Sequence, residues 1–198
     1  MIVTVFVSDR GDQYLPRCID TFDTYVYGES DRIVVDDRDH RFGMAGAVRD
    51  GWTRALDLGA DYVFHVEEDF EFRSPVQLDS LQYILDRAPH LAQVVLKRQP
   101  WNEQEKQAGG IVEQEPDAYV ECGAMGRNVR WTEHRRIFSL NPCLIPRRTL
   151  ELGWPDGNEA EFTQRCLDAE MLFAFYGGRF DPPVVHHVGY QRSGGWRL

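Results

Sequence analysis

In the stretch ADYVFHVEEDFEF, residues 60–72, an apolar run ends in Glu67, Glu68 and Asp69 and, past Phe70, in Glu71. Side chains alternate along an extended chain, so Glu67, Asp69 and Glu71 share one side while Glu68, Phe70 and Phe72 take the other. Carboxylates this close raise one another's pKa unless something positive stands between them. A divalent cation meets that need economically. Magnesium and manganese take oxygen ligands and often bind through one or two carboxylates plus substrate phosphates. An acidic strand end in solvent is the plainer alternative. A second apolar run, RIVVDD, ends the same way in Asp36 and Asp37.

The elements around these residues follow from periodicity. IVTVFVS is a continuous β-branched run, the pattern of a strand buried on both faces. Helical spacing then links Tyr14, Leu15, Cys18, Ile19, Phe22 and Val26, with Pro16 in a first turn. GMAGAVRDGWTRALDLGADY predicts a helix with Met44, Val48, Trp52, Ala55 and Leu56 on one face and Gly59 as its stop, leading into the strand YVFHV. VQLDSLQYILDRA reads as a further helix and QVVLK as a further strand. Strands alternating with helices predict an α/β fold, a single domain with a mostly parallel central sheet flanked by helices. In such sheets ligands bind beyond the carboxyl ends of the strands, where Asp36, Asp37 and Glu67 to Asp69 fall. Beyond residue 98 the pattern loosens: a long polar loop over residues 99–116, strands at AYVEC and IFSLNPCLI, and a helix from Glu159 to about Phe173.

Composition narrows the function. A net charge of -10 argues against a broad nucleic-acid footprint, which is built on clustered Lys and Arg. The apolar run 2–7 is too short for a signal segment or a membrane span and meets Asp9 and Arg10 at once, so a cytoplasmic protein is expected, with no membrane partner. Cys18, Cys122, Cys143 and Cys166 are far apart, with neither metal nor disulfide spacing, and read as reduced core thiols.

Taken together, VSDRGDQYLPRCIDTF, VVDD and GMAGAVRDGWTRALDLGADYVFHVEEDFEF resemble the nucleotide-binding half of a GT-A-fold glycosyltransferase, similar to the family 2 enzymes. LKRQPWNEQEKQAGGIVEQEPDAY, SLNPCLIPRR and GWPDGNEAEFT also resemble the small glycosyltransferases encoded by bacteriophages. The resemblance implies a GT-A-like, Rossmann-like domain with a nucleotide-sugar half (1–98) and an acceptor half (99–198). It implies a metal-dependent, hexosyltransferase-like enzyme using Mn2+ or Mg2+ and a nucleotide-sugar donor, UDP-sugar favoured. Glu67, Glu68 and Asp69 stand where that family has its D-x-D motif, with Asp69 the principal metal ligand. Asp36 and Asp37 would meet the base or ribose, Ser8 and Arg10 the floor near the base, and Arg49 the diphosphate. The family takes its catalytic base from a helix start after the acceptor-side strand. In WPDGNEAEFTQRCL this selects Glu159, then Glu161, with Asn158 a plausible N-cap; acidic residues in a first helical turn also complement the helix dipole without catalysing.

The family also often supplies a late His to the metal, which here means His187 or His186, since adjacent strand residues face opposite ways; a packed, hydrogen-bonded pair is the alternative. An imidazole tilts the site toward manganese. The tail YQRSGGW would fold over the donor, with Arg192 countering the leaving diphosphate. The stretch GAMGRNVRWTEHRR, with Arg127, Arg130, His134, Arg135 and Arg136, reads equally as an acceptor face or a solvated basic loop. The acceptor stays open between hydroxymethylated DNA bases, a virion protein and a small molecule, as a phage origin and a host-cytoplasmic site would allow. Two other classes fit less of the pattern: a nucleotidyltransferase, and a non-catalytic nucleotide-sugar or divalent-metal binding module.

Overall fold

The structure, a computed structural model, describes residues 1–11, 13–39, 41–124 and 128–189. In chain order the elements are β1 (Ile2–Ser8), α1 (Leu15–Tyr25), β2 (Val26–Tyr27), β3 (Asp31–Asp36), α2 (Gly43–Asp57), β4 (Tyr62–Glu67), β5 (Phe70–Phe72), β6 (Val76–Gln77), α3 (Leu78–Arg87) and β7 (Leu91–Val95). There follow α4 (Glu103–Ala108), α5 (Ile111–Gln114), β8 (Tyr119–Ala124), β9 (Val129–His134), β10 (Cys143–Pro146), α6 (Arg147–Leu150), α7 (Glu159–Asp168), β11 (Leu172–Tyr176) and β12 (Val185–His187).

Eight strands form one sheet in the order β3-β1-β4-β10-β7-β11-β9-β8. All seven residues of β1 are buried, as its mostly apolar run requires. β3 and β4 run parallel to β1, and β11 parallel to β7, but β10 runs antiparallel to both its neighbours, and the β11-β9-β8 edge is antiparallel as well. The fold is therefore α/β with a mixed sheet, and the expectation of a mostly parallel sheet is corrected. Its cause is a strand from the second half of the chain inserted between β4 and β7, so that residues 1–98 and 99–198 interleave in one layer.

Helices cover both faces. α2 and α7 pack on one side, where Trp52, Trp154, Phe138 and Phe162 meet edge to face or tilted. Cys18 and Phe22 of α1 and Leu81, Ile84 and Leu85 of α3 bury against the other side. Gly51 lets α2 lie close on β1, since a Cβ there would stand 2.5 Å from Val5 Cγ1.

Three further expectations change. The loop over 99–116 contains two short helices, α4 and α5, the first capped by Asn102, which accepts from Glu105 N. VRWTEH, within the stretch that reads equally as an acceptor face or a solvated basic loop, is strand β9, with Val129, Trp131, Thr132 and His134 buried. The helix from Glu159 stops at Asp168, and Leu172–Tyr176 is strand β11 rather than the end of the helix. Among the described residues, no helix is long and apolar enough to cross a membrane.

Candidate functional site

β1 and β4 end side by side, which brings Ser8, Asp9 and Arg10 against Glu67, Glu68 and Asp69. Ser8 Oγ donates to Glu68 Oε2 at 2.5 Å, and the Arg10 backbone N–H and Nε donate to Glu68 Oε1 at 2.9 and 3.0 Å. Arg10 Nη2 reaches Asp69 Oδ2 at 2.7 Å. The positive group that the carboxylate cluster demands is thus, in part, this guanidinium. Burial raises the Glu68 pKa against the pull of Ser8 and Arg10. Burial also works to raise that of Asp69, but His187 and Arg10 outweigh it and the carboxyl is lowered. Neighbouring carboxylates pushed in opposite directions are a common feature of acid–base and ligand sites.

The ribbon of β5 and β12 sets His187 opposite Phe70 and His186 opposite Glu71. His187 Nε2 lies 3.2 Å from Asp69 Oδ2, its ring held between Phe70 and Trp101 at centroid distances of 4.7 and 4.2 Å. The Gln99 side chain locks the backbone of the same residue, donating to His187 O at 2.8 Å and accepting from His187 N at 2.9 Å. His186 faces solvent. Gly189 closes over Asp69 so tightly that a Cβ would meet Asp69 Oδ2 at 2.0 Å.

These groups line one end of a cavity of about 520 Å³ that continues across the carboxyl ends of β4, β7 and β11. Segment 98–113 roofs it. Arg98 pairs with Glu105 through both terminal nitrogens, and Arg179 with Glu113 through Nε and Nη2. Lys97 is directed at three backbone carbonyls of one loop: Gly178, Arg179 at 3.2 Å and Asp181 at 3.0 Å. Burial lowers its pKa. Glu159, at the start of α7, also lines the cavity. Its Oε1 accepts from Leu140 N at 2.6 Å, and burial raises its carboxyl pKa. Asn158 caps the helix, accepting from Ala160 N and Glu161 N.

Of the residues singled out from sequence, the cavity gathers Arg10, Glu67, Glu68, Asp69, Glu159 and His187. Ser8 supports from beneath through Glu68. Asp36 and Asp37 sit one strand over and outside the lining. Asp36 pairs with Arg38, while buried Asp37 accepts from Phe42 N and its own N–H bonds Ser8 O. Arg49 is on the surface, paired with exposed Asp156, and Glu161 is exposed and paired with Arg165 at 3.0 Å. Neither reaches the cavity lining, because α2 and α7 turn these positions outward. Arg192 lies outside the described residues, as does Arg127. The basic stretch does not form a common face: Arg130 pairs with Asp181, Arg136 with Glu115, and His134 is buried in an aromatic stack. Lys97, Arg98 and Arg179 were missed, although the charge that ends QVVLK after a buried strand is the same kind of signal that marks Glu67.

Among the described residues, no group of three or more His, Cys, Asp or Glu side chains is arranged to hold a metal ion. Two donors do stand close together, although Asp69 Oδ2 also takes Arg10 Nη2 at 2.7 Å, which a cation would have to displace. Asp69 Oδ2 and His187 Nε2 are separated by about the distance between adjacent ligands of a divalent cation, and substrate phosphates commonly complete such a site. The carboxylates Asp9, Glu67, Glu68, Asp69, Glu113, Glu159 and Asp181 outnumber the cations Arg10, Lys97, Arg98 and Arg179 in the wall, which favours a ligand that brings positive charge with it.

No family model matches this chain, and no curated protein matches it. Among solved structures it is similar to A197 from STIV, at 14% identity and a TM-score of 0.49, over 84% of this chain and 78% of that one.

Proposed function

We propose that the chain transfers a sugar from a nucleotide-sugar donor to an acceptor hydroxyl, on a GT-A-like arrangement of strands. One observation carries the reading: the Glu67-Glu68-Asp69 strand end, with His187 and Arg10 upon it, shares one cleft with the desolvated carboxyl of Glu159. The donor's diphosphate lies at the β1–β4 end. Arg10 faces it there, and Asp69 with His187 would hold a divalent cation, which when bound neutralises charge on the diphosphate. Glu159 takes the proton of the acceptor hydroxyl as its oxygen bonds to the anomeric carbon; the bond from that carbon to the diphosphate breaks, and the nucleoside diphosphate leaves. A raised carboxyl pKa suits this role, because it makes the base stronger near neutral pH.

The test is a thermal-shift panel of UDP, GDP, CDP and dTDP with and without Mn2+. A nucleotide at a hundred times its Kd stabilises the fold by about 2.7 kcal/mol. For a chain of this size that is a rise of about 5 to 10 °C. A rise with one nucleotide that disappears in Asp69→Asn supports the reading, and a flat panel refutes it.

A further inference from the structure

We infer that the end of the cavity over β7 and β11 is a subsite for a small, uncharged alcohol with an apolar body, which deepens the proposed function by naming its acceptor class. Neighbouring strands stand about 4.8 Å apart, so the four steps from β1 to β11 span roughly 19 Å. The lining runs the whole way, from Asp9 and Arg10 to Phe175, and its two ends differ in chemistry. The β1–β4 end is ionic. At the other end the wall includes Ile111, Val112, Phe175, Phe180 and Pro182.

The charges that do occur at this end are committed to one another. Arg179 forms its two-point pair with Glu113, Asp181 takes Arg130 at 2.7 Å, and the Lys97 ammonium is spent on three carbonyls. An anionic acceptor would meet the carboxylates of Glu113 and Asp181 here and find their arginines already paired. A neutral apolar body needs no such partner. A cleft of about 520 Å³ matches a small molecule, the size class in which apolar walls with a few polar groups are usual. Phe180 lies at the rim, 80% exposed, with the Arg179 guanidinium 5.1 Å from its ring centroid. Leu140 joins the apolar wall to the chemistry, because its N–H holds the Glu159 carboxyl. A molecule packed against Leu140 therefore presents its hydroxyl near the proton acceptor.

The probe is 2-naphthol, uncharged at neutral pH and fluorescent, titrated into the full chain and into Phe180→Ala, Ile111→Asn and Asp69→Asn. Phe180 is exposed enough for its replacement to leave the fold intact, and the thermal midpoint of each variant checks this. The expected result is saturable binding that weakens about tenfold in Phe180→Ala and in Ile111→Asn and is unchanged in Asp69→Asn. Absent binding, or equal affinity across all four proteins, overturns the inference. So does displacement of naphthol by a single-stranded oligonucleotide carrying hydroxymethylcytosine, which would mark the acceptor as nucleic acid. The nucleoside diphosphate panel is read separately. If it is flat, sugar transfer falls while the naphthol titrations still decide whether the apolar subsite exists.

Discussion

Gly189→Ala tests whether Asp69 is held where the site needs it, without altering any charge. The three atoms nearest to an added Cβ all belong to Asp69: Oδ2 at 2.0 Å, Cγ at 2.8 Å and Cβ at 3.1 Å. Ordinary contact begins near 3.4 Å, so the carboxylate must retreat by more than about 1 Å. It cannot do so and keep both Arg10 at 2.7 Å and His187 at 3.2 Å. Overpacking costs about 1 to 3 kcal/mol and a lost hydrogen bond to a charged group about 1.5 to 3. A partial overlap of the two gives roughly 3 kcal/mol, or a fall of about 6 to 12 °C in Tm. Gly51→Ala is the control, because its Cβ would crowd Val5 and Val35 in the core and leave Asp69 alone. Both variants should melt early by calorimetry, but only Gly189→Ala should lose the nucleotide-dependent rise in Tm. A Gly189→Ala protein that melts within 1 °C of the parent and keeps its nucleotide response would refute the argument.

Glu159→Gln keeps the size of the side chain and an oxygen for Leu140 N, so nucleotide binding should persist while sugar transfer to any accepted alcohol falls by about 10² to 10⁴; a smaller loss removes Glu159 as the base. Arg179→Met should open the roof, read as faster proteolysis within residues 99–116, and unchanged digestion would show that the Arg179–Glu113 pair does not hold that segment. Buried His65, with no partner for either ring nitrogen among the described residues, has its pKa pushed down to about 3 by burial. Its folded pKa is below its unfolded value of about 6.5, so stability falls as pH drops through 6.5 toward 3, by up to about 1.4 kcal/mol per unit. His65→Phe should flatten that acid limb in denaturant melts, and parallel limbs would count against the assignment.

Much of the first half could be read from the chain because its signals are local. Ile2–Ser8 and Tyr62–Glu67 are mostly apolar runs, broken only by Thr4, Ser8, His65 and Glu67, and the helix over 43–57 shows its period plainly. Gly59, with φ of 86°, ends that helix region as a glycine stop should. Glu67 to Asp69 stand in the cavity wall because a strand end fixes where side chains gather, and Glu159 and His187, which only the resemblance implied, line the same wall. What escaped depends on partners distant in sequence. The four residues of β10 acquire their direction only from β4 and β7, and LFAFY carries too few residues to show a strand period beside a helix. Arg10 was placed near a base, yet its guanidinium bridges Glu68 and Asp69 about sixty positions away. Arg49 and Glu161 failed to reach the cavity because periodicity gives a helix its face but not the angle at which that face is docked.

The insertion of β10 also sets an order of assembly. Cys143 pairs with His65 on one side and Val95 on the other, so β4 and β7 cannot be bridged until the chain past residue 146 is available. Until then the sheet has a strand-wide gap with two hydrogen-bonding edges, the arrangement most prone to pairing with another chain. Late closure of a long-range strand makes folding slow for a chain of this length. The same event brings Leu140, and through it Glu159, up to the carboxylates of β4. A chain without β10 in place therefore has neither a complete sheet nor a complete cavity wall, and the two would close together.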